Sequence, residues 1–398
     1  MRQRSPVTEA ERDKTMLDLA ARVASRAAGN VEPNPMVGCV IARRDGERAV
    51  PIALGHHQRF GGLHAEREAL ADASRRGVEV RGATAYVTLE PCVHHGKQPP
   101  CVDALLEAGI GEVVFARHDP GPESGGGAAK LVAAGVPCRV SDASENAVAL
   151  SDPFVKRIKT GLPWVIAKWA QTVDGRIATR TGQSQWISSD RSRLRVHKLR
   201  ERVDAIVTGL GTATFDDPLL TARVGRRPRR VARRVVIDTD LDLPPGSKLA
   251  TTTDRAPVTV CCMNELKSSE YLRERRERLE ARGIDIMGVR SDNRRLDLDL
   301  MLAQLVEAYG VMNVLIEAGP GLLGSFFEFD LVDEAVVYIA PLLLGDELAK
   351  AAATGRTVPS LSGGRNFRLS RVKRIGDDVE LVYRRPVEHA PGVRSAEA

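Results

Sequence analysis

The run Thr88-Leu89-Glu90-Pro91-Cys92-Val93-His94-His95-Gly96-Lys97-Gln98-Pro99-Pro100-Cys101, read together with His64-Ala65-Glu66, decides how the first part of the chain folds. His64 opens a helix that carries Ala65, Ala69, Leu70 and Ala73 at helical spacing. Cys92 follows an apolar strand over 83–89, and Cys101 precedes a helix over 102–108. Working outward, Val37-Gly38-Cys39-Val40-Ile41-Ala42 reads as a buried strand that ends in the hairpin turn Arg44-Asp45-Gly46. Glu112-Val113-Val114-Phe115-Ala116 reads as another strand. An amphipathic helix over 9–29 bears Met16, Leu17, Leu19, Ala20 and Val23, and Pro33-Asn34-Pro35 forces a turn after it. This alternation predicts an αβα arrangement, a sheet covered by helices.

A zinc deaminase needs three protein ligands that leave one position open for water, and a carboxylate near that water to shuttle protons. His64, Cys92 and Cys101 fit the first need and Glu66 fits the second. A helix N-terminus favours anionic ligands and lowers thiolate pKa. On a regular helix His64 and Glu66 would point about 200° apart. Their pairing therefore requires His64 at the cap, where dihedrals need not be helical. Each residue taken singly reads as packing beside apolar segments; the combination reads as a metal site. A structural zinc completed by His94 or His95 is the rival metal reading.

At 398 residues the chain favours two domains over one. Apolar residues at 43% and charged residues at 28% exclude wholesale disorder and fibrous architectures. Six cysteines spread through this length make no disulfide framework and suit a reducing compartment. No apolar stretch is long enough to span a membrane, and no apolar region follows the basic N-terminus, so a soluble cytoplasmic protein is expected. Much of the net charge of +6 comes from Arg226-Arg227-Pro228-Arg229-Arg230 with Arg233-Arg234. That run reads as a solvated loop leading into a strand, with a site for anionic phosphate substrates as the second reading.

Between about 118 and 160 the pattern loosens, and the domain junction is placed near 150–160. A second β-α alternation follows. Strands are predicted over 164–168, 205–208, 234–238, 257–260, 313–317, 332–341 and 379–384, and helices over 190–202 and 298–309. The expected organisation is one domain over 10–150, a second α/β domain over 160–385, and a disordered tail over 386–398. Within the second half, Gly319-Pro320-Gly321-Leu322-Leu323-Gly324-Ser325 follows an apolar strand and matches Gly-x-Gly-x-x-Gly. Such a turn lets backbone amides approach a phosphate at a helix N-terminus, or merely makes a tight strand-to-helix corner. A dinucleotide fold normally opens with this motif, and here it comes after several strands.

The quoted residues, with Asn34-Pro35-Met36-Val37-Gly38, resemble the bifunctional riboflavin-biosynthesis deaminase/reductase family, in which the wide cysteine spacing is usual. The second half resembles that family's reductase through Lys168-Trp169-Ala170-Gln171-Thr172-Val173-Asp174-Gly175-Arg176, Ser184-Gln185-Trp186-Ile187, Gly211-Thr212, Asp216 to Arg223, Val236-Ile237-Asp238 and Glu317 to Ser325. The resemblance implies a cytidine-deaminase-like αβα domain followed by a dihydrofolate-reductase-like α/β domain. It implies zinc at His64, Cys92 and Cys101, proton transfer by Glu66, and substrate contacts near Asn34, His57, His94 and Lys97. It further implies NADPH contacts at Ala170, Trp186, Thr212, Asp216, Thr239 and the turn of Gly319, Pro320, Gly321, Leu322, Leu323, Gly324 and Ser325. Ser184, Arg200, Leu220, Arg223 and Glu317 would face the substrate, whose phosphate suits the planar fork of arginine. Ala170, Trp186 and Leu220 read equally as core residues. Gln98 and Gly121 depart from the family's threonine and asparagine.

The implied chemistry is hydrolytic deamination of a diaminopyrimidinone carrying a phosphoribosylamino chain, then reduction of that chain, with no obvious acid/base for the second step. The implied partners are a small phosphoribosyl pyrimidine and further copies of the chain, with no nucleic acid and no membrane. Two alternatives stand beside it. One is a zinc deaminase acting on transfer RNA, although a reductase half has no use there. The other is a non-catalytic zinc-stabilised binding protein, which would fill the fourth ligand position and would not need Glu66.

Overall fold

The structure is a computed structural model that describes residues 7–385 apart from 224, 226, 227 and 268. The expected tail over 386–398, and Arg226 and Arg227 of the basic run, lie outside the described residues. The chain forms two compact units, Met1–Lys159 and Thr160–Ala398.

The first unit has strands β1 (Gly38–Asp45), β2 (Arg48–His56), β3 (Thr84–Val87), β4 (Glu112–Phe115) and β5 (Cys138–Val140) in the order β2-β1-β3-β4-β5. β1 runs antiparallel to β2 and β3, while β3, β4 and β5 are parallel. The period-2 alternation of β1 splits its side chains between two cores. Cys39 and Ile41 join Ala65, Ala69, Val102, Leu105 and Leu131 on one face. Val40 and Ala42 join Met16, Leu17, Ala20 and Ala147 on the other. The helices are α1 (Glu9–Ala24), α2 (Ala65–Arg75), α3 (Cys101–Glu107), α4 (Gly127–Ala133), α5 (Glu145–Ala149) and α6 (Asp152–Thr160). α1 is shorter than the expected helix over 9–29, tightening into a 3-10 turn at Ser25–Ala27. The loose segment over 118–160 holds α4, β5, α5 and α6, short elements that follow a glycine- and proline-rich stretch reading as turns.

Two glycines set the height at which helices ride on this sheet. A Cβ on Gly55 would lie 2.2 Å from the Ala69 nitrogen and 2.3 Å from the Ala65 oxygen, so α2 can sit directly against β2. On the other face a Cβ on Gly38 would meet the Ala20 oxygen at 2.1 Å. The first contact seats the helix that carries Glu66.

In the second unit the strands are β6 (Trp164–Gln171), β7 (Arg176–Ala178), β8 (Ala205–Gly209), β9 (Arg233–Ile237), β10 (Val258–Met263), β11 (Ile284–Val289), β12 (Ser291–Asp292), β13 (Arg295–Leu296), β14 (Asn313–Ile316), β15 (Glu334–Ile339), β16 (Lys350–Ala351), β17 (Arg368–Ile375) and β18 (Asp378–Arg384). Nine of them make one sheet in the order β11-β10-β9-β8-β14-β6-β15-β18-β17. It is parallel from β11 to β15 and antiparallel at β18 and β17. Both faces are covered: Trp164, Ile166, Ile206 and Leu315 pack on one side, and Val165, Ala167, Val207 and Ile316 on the other, against Met301, Leu305, Leu323 and Phe326. Double-sided burial is the rule for parallel strands and explains their unbroken apolar runs.

The basic run is not uniformly a solvated loop. Arg234 lies in β9 and is fully buried, donating to the carbonyls of Thr252 at 2.7 Å, Ala256 at 2.5 Å and Leu219 at 3.3 Å. A guanidinium survives burial when carbonyls take its protons. No helix among the described residues is long and apolar enough to cross a membrane.

Candidate active sites

His64 is the residue that caps α2, with φ −73° and ψ 164°, an extended backbone one step ahead of the helix. Its imidazole is thereby released from helical geometry, as pairing with Glu66 demands. Cys101 is the first residue of α3 rather than the one before it, and Cys92 lies in the loop that follows β3. The Nδ1 of His64 is 3.5 Å from the sulfur of Cys92 and 3.4 Å from that of Cys101. All three donor atoms fall within 4.8 Å of one another, and among the described residues this is the one such group. His94 and His95 stay outside it, so the geometry offers three ligands and not four.

Hydrogen bonding from Cys101 holds the Cys92 thiol down at about 4, and the same contact, with burial, pushes Cys101 well up. The contact between the two sulfurs is the leading cause of both shifts. Glu66 is 3% exposed. Burial, then the Cys92 charge, raises its carboxyl to about 7.

A cavity of about 300 Å³ opens over these residues. Asn34, His57 and His94 line it, while Lys97 does not. Lys97 is exposed, its ammonium 4.0 Å above the Phe60 ring. His57 donates from Nδ1 to the Leu63 carbonyl at 2.8 Å, which leaves Nε2 to accept from the Asn34 amide at 3.2 Å. The two departures each have a local account. Gln98 donates to the Gly61 carbonyl at 3.3 Å. At Gly121 a Cβ would run into the Ser124 hydroxyl at 2.2 Å, so Ser124 occupies that space and bonds Asp119. Asp119, Glu123 and Ser124 join the lining without having been singled out in sequence.

In the second unit the candidate residues gather where parallel strands end, the place where open α/β sheets bind ligands. Lys168 and Ala170 lie toward the end of β6, and Glu317 and Gly319 follow β14. Thr212 follows β8, and Thr239 follows β9. Glu317, 9% exposed, accepts from both nitrogens of the Arg200 fork at 2.6 and 3.0 Å and from Lys168 at 3.2 Å. Burial alone would raise its carboxyl, but the Arg200 and Lys168 charges outweigh it and hold the group at about 2. Arg200 spends its remaining reach on the Thr221 carbonyl at 3.2 Å. Its fork is thus committed, whereas Arg223 is exposed.

Ser184 reaches Asp216 at 3.4 Å, and Trp186 is exposed beneath the Arg193 guanidinium at 4.3 Å. Leu220 is 3% exposed within the core, with a left-handed φ of 48°. Its side chain follows the core reading, and only its backbone is offered elsewhere. The glycine turn caps the helix Pro320–Glu328. Gly319 meets nothing closer than the Thr212 hydroxyl at 3.7 Å and Gly321 meets nothing within 4 Å, while Gly324 is pressed on the Thr354 backbone. Leu323 is buried among the core residues. Lys168 was read as the end of a strand and the start of a stretch resembling the reductase, without a role of its own.

Residues 163–381 match the family model described as the RibD C-terminal domain, and residues 10–117 match the cytidine and deoxycytidylate deaminase zinc-binding region. The riboflavin biosynthesis protein RibD of Aquifex aeolicus is 36% identical over 376 residues, covering 94% of this chain and 99% of its own. The chain belongs to the RibD family. RibD of Escherichia coli is 35% identical, covering 93% of this chain and 98% of its own. Among solved structures, Acinetobacter baumannii RibD superposes with a TM-score of 0.76 at 31% identity, covering 94% of this chain and 99% of that one. A Thermotoga maritima structure titled diaminohydroxyphosphoribosylaminopyrimidine deaminase/5-amino-6-(5-phosphoribosylamino)uracil reductase gives the same TM-score and identity, covering 95% of this chain and all of that one. The RibD fold is therefore present in both halves, a cytidine-deaminase-like domain and then the reductase domain. All four residues of the first site fall inside the deaminase match.

Proposed function

We propose that the chain catalyses two steps of riboflavin biosynthesis. The first is hydrolytic deamination of 2,5-diamino-6-(5-phosphoribosylamino)pyrimidin-4-one. The second is NADPH-dependent reduction of the ribosyl chain to give 5-amino-6-(5-phosphoribitylamino)uracil. The observation that carries this function is the gathering of His64, Cys92 and Cys101 around buried Glu66 in a chain that matches RibD along nearly its whole length.

One imidazole nitrogen and two sulfurs within 4.8 Å are a donor set suited to zinc. Zinc held there would supply Lewis acidity, lowering the pKa of the attacking water. Glu66, raised toward neutrality by burial, takes the water's proton and delivers it to the departing ammonia. Asn34, held by its bond to the His57 imidazole, presents its amide edge to the ring.

For the second step, NADPH would supply the hydride. Ala170, Trp186, Thr212, Asp216 and Thr239 hold the cofactor, with the open backbone of Gly319, Pro320 and Gly321 admitting a phosphate. Leu323 and Gly324, turned inward, serve the turn rather than the ligand, and Leu322 and Ser325 flank it. Arg223 meets the substrate's phosphate, Ser184 and the Leu220 backbone border the sugar, and Arg200 orients Glu317. Lys168, bonded through Nζ to Glu317, places a hydrogen-bond donor beside the ring-opened sugar. The substrate is a small phosphorylated pyrimidine in the cytoplasm, with no role for nucleic acid or membrane, and the enzyme works as a homo-oligomer.

A coupled assay following ammonia and NADPH with the purified chain tests this function. Both must be consumed or released in sequence from the small pyrimidine. Ammonia release from RNA and none from the pyrimidine would reject it.

A further inference from the structure

One stretch of the first cavity's wall comes from none of the motifs: Phe154 and Ile158, both on α6. Four residues apart on a helix, they share one face. Phe154 is half-buried and Ile158 is 44% exposed, whereas Leu89, Glu66 and Cys92 are 3%, 3% and 8% exposed. The cavity therefore has a buried chemical floor and an apolar rim on α6. A buried ion pair pins that rim in place. Asp152, the first residue of α6, meets Arg117 at 2.6 Å, with side chains 5% and 17% exposed. Arg117 also donates to the Val148 carbonyl at 3.4 Å. Two residues beyond Arg117 stands Asp119, itself in the lining. One short segment thus supplies a polar contact and anchors the apolar one.

We propose that Phe154 and Ile158 are substrate-binding residues of the deamination site, an apolar wall on which the flat face of the amino-heterocycle packs while its amine-bearing carbon faces Glu66. The proposal rests on the assignment of this cavity as the deaminase site. Its chemistry follows from the shape of the ligand. A single-ring heterocycle has polar edges and apolar faces; Asn34 and Asp119 suit the edges, and apolar side chains suit the faces. Contact with a face is made equally in the ground state and the transition state, so its loss raises KM and spares kcat.

The test uses the full-length, zinc-loaded chain with Phe154→Ala, Ile158→Ala and Phe154→Leu. Ammonia release from the diaminopyrimidinone substrate is measured, together with zinc content and NADPH oxidation on the pre-deaminated compound. The alanine variants should raise KM for deamination by about tenfold, with kcat held within about threefold, as expected for lost uniform binding. Zinc content and NADPH oxidation should stay at the unaltered level, and Phe154→Leu should recover most of the lost affinity. Ile158, 44% exposed, gives a variant that folds even if Phe154→Ala does not. Alanine variants that fold, hold zinc and keep KM within about twofold would overturn the wall alone. No ammonia release by the unaltered chain would overturn the wall and the deaminase assignment together.

Discussion

Glu66 can be separated from the metal ligands by a change of one atom type. Glu66→Gln keeps the size of the side chain and removes its proton transfer, so ammonia release should fall by about 10²–10⁴-fold. NADPH oxidation on pre-deaminated substrate should remain; if both fall together in a folded, zinc-loaded protein, two independent sites are excluded. In the second site, Glu317 ties charge to stability. Its carboxyl lies at about 2 against an ordinary 4.5. A depressed carboxylate stabilises the fold above pH 4.5, and that contribution, roughly 3 kcal/mol, drains away as pH falls from 4.5 toward 2. Urea unfolding of the intact chain at pH 5, 4 and 3 should show the decline, and Glu317→Gln should flatten it. An unchanged slope in the variant would contradict the assignment. The metal donors were legible in sequence because few residue types can do their work. Lys168, Asp119 and Phe154 were not, because what matters about them is a neighbour far away in the chain.

Among the elements, the glycine turn separates two duties that the motif in sequence merges. A Cβ at position 324 would sit 1.7 Å from the Thr354 oxygen, whereas one at 321 meets nothing within 4 Å. Gly324→Ala should therefore destabilise the protein by about 1–3 kcal/mol in urea unfolding. Gly321→Ala should leave stability unchanged or improve it by about 0.5–1 kcal/mol, while raising KM for NADPH because the backbone can no longer be approached. The reverse pattern would assign the open glycine to packing. Long, doubly buried strands and the helix Leu298–Tyr309 were readable from apolar runs and periodicity. β17 was not, because seven of its eight residues are exposed, leaving no apolar pattern. α4 and α5 follow Asp119-Pro120-Gly121-Pro122 and Gly125-Gly126, residues that read as turns and broke the pattern before either helix began.

At the scale of the whole molecule, each candidate site draws its residues from one unit. The ligands, Glu66 and the cavity lining precede Thr160, while Lys168, Arg200, Arg223, Glu317 and the glycine turn follow it. Chelation should therefore abolish ammonia release, leave NADPH oxidation on pre-deaminated substrate unchanged, and be reversed by added zinc. Loss of both activities on chelation would show that the metal also sustains the second unit. The division into two α/β halves was visible in sequence because the β-α alternation lapses and restarts. The position of α6 was not, since it lies in that lapse and its importance comes from the cavity it borders.

The partition at Lys159 also has a genetic meaning. A cell carrying two defective copies, one with Glu66→Gln and the other with Lys168→Met, would own one working site of each kind on different chains. If the intermediate is free to diffuse, the pair should complement and restore growth without added riboflavin, although neither allele does so alone. Failure of two folded alleles to complement would mean that the intermediate never leaves the chain that made it.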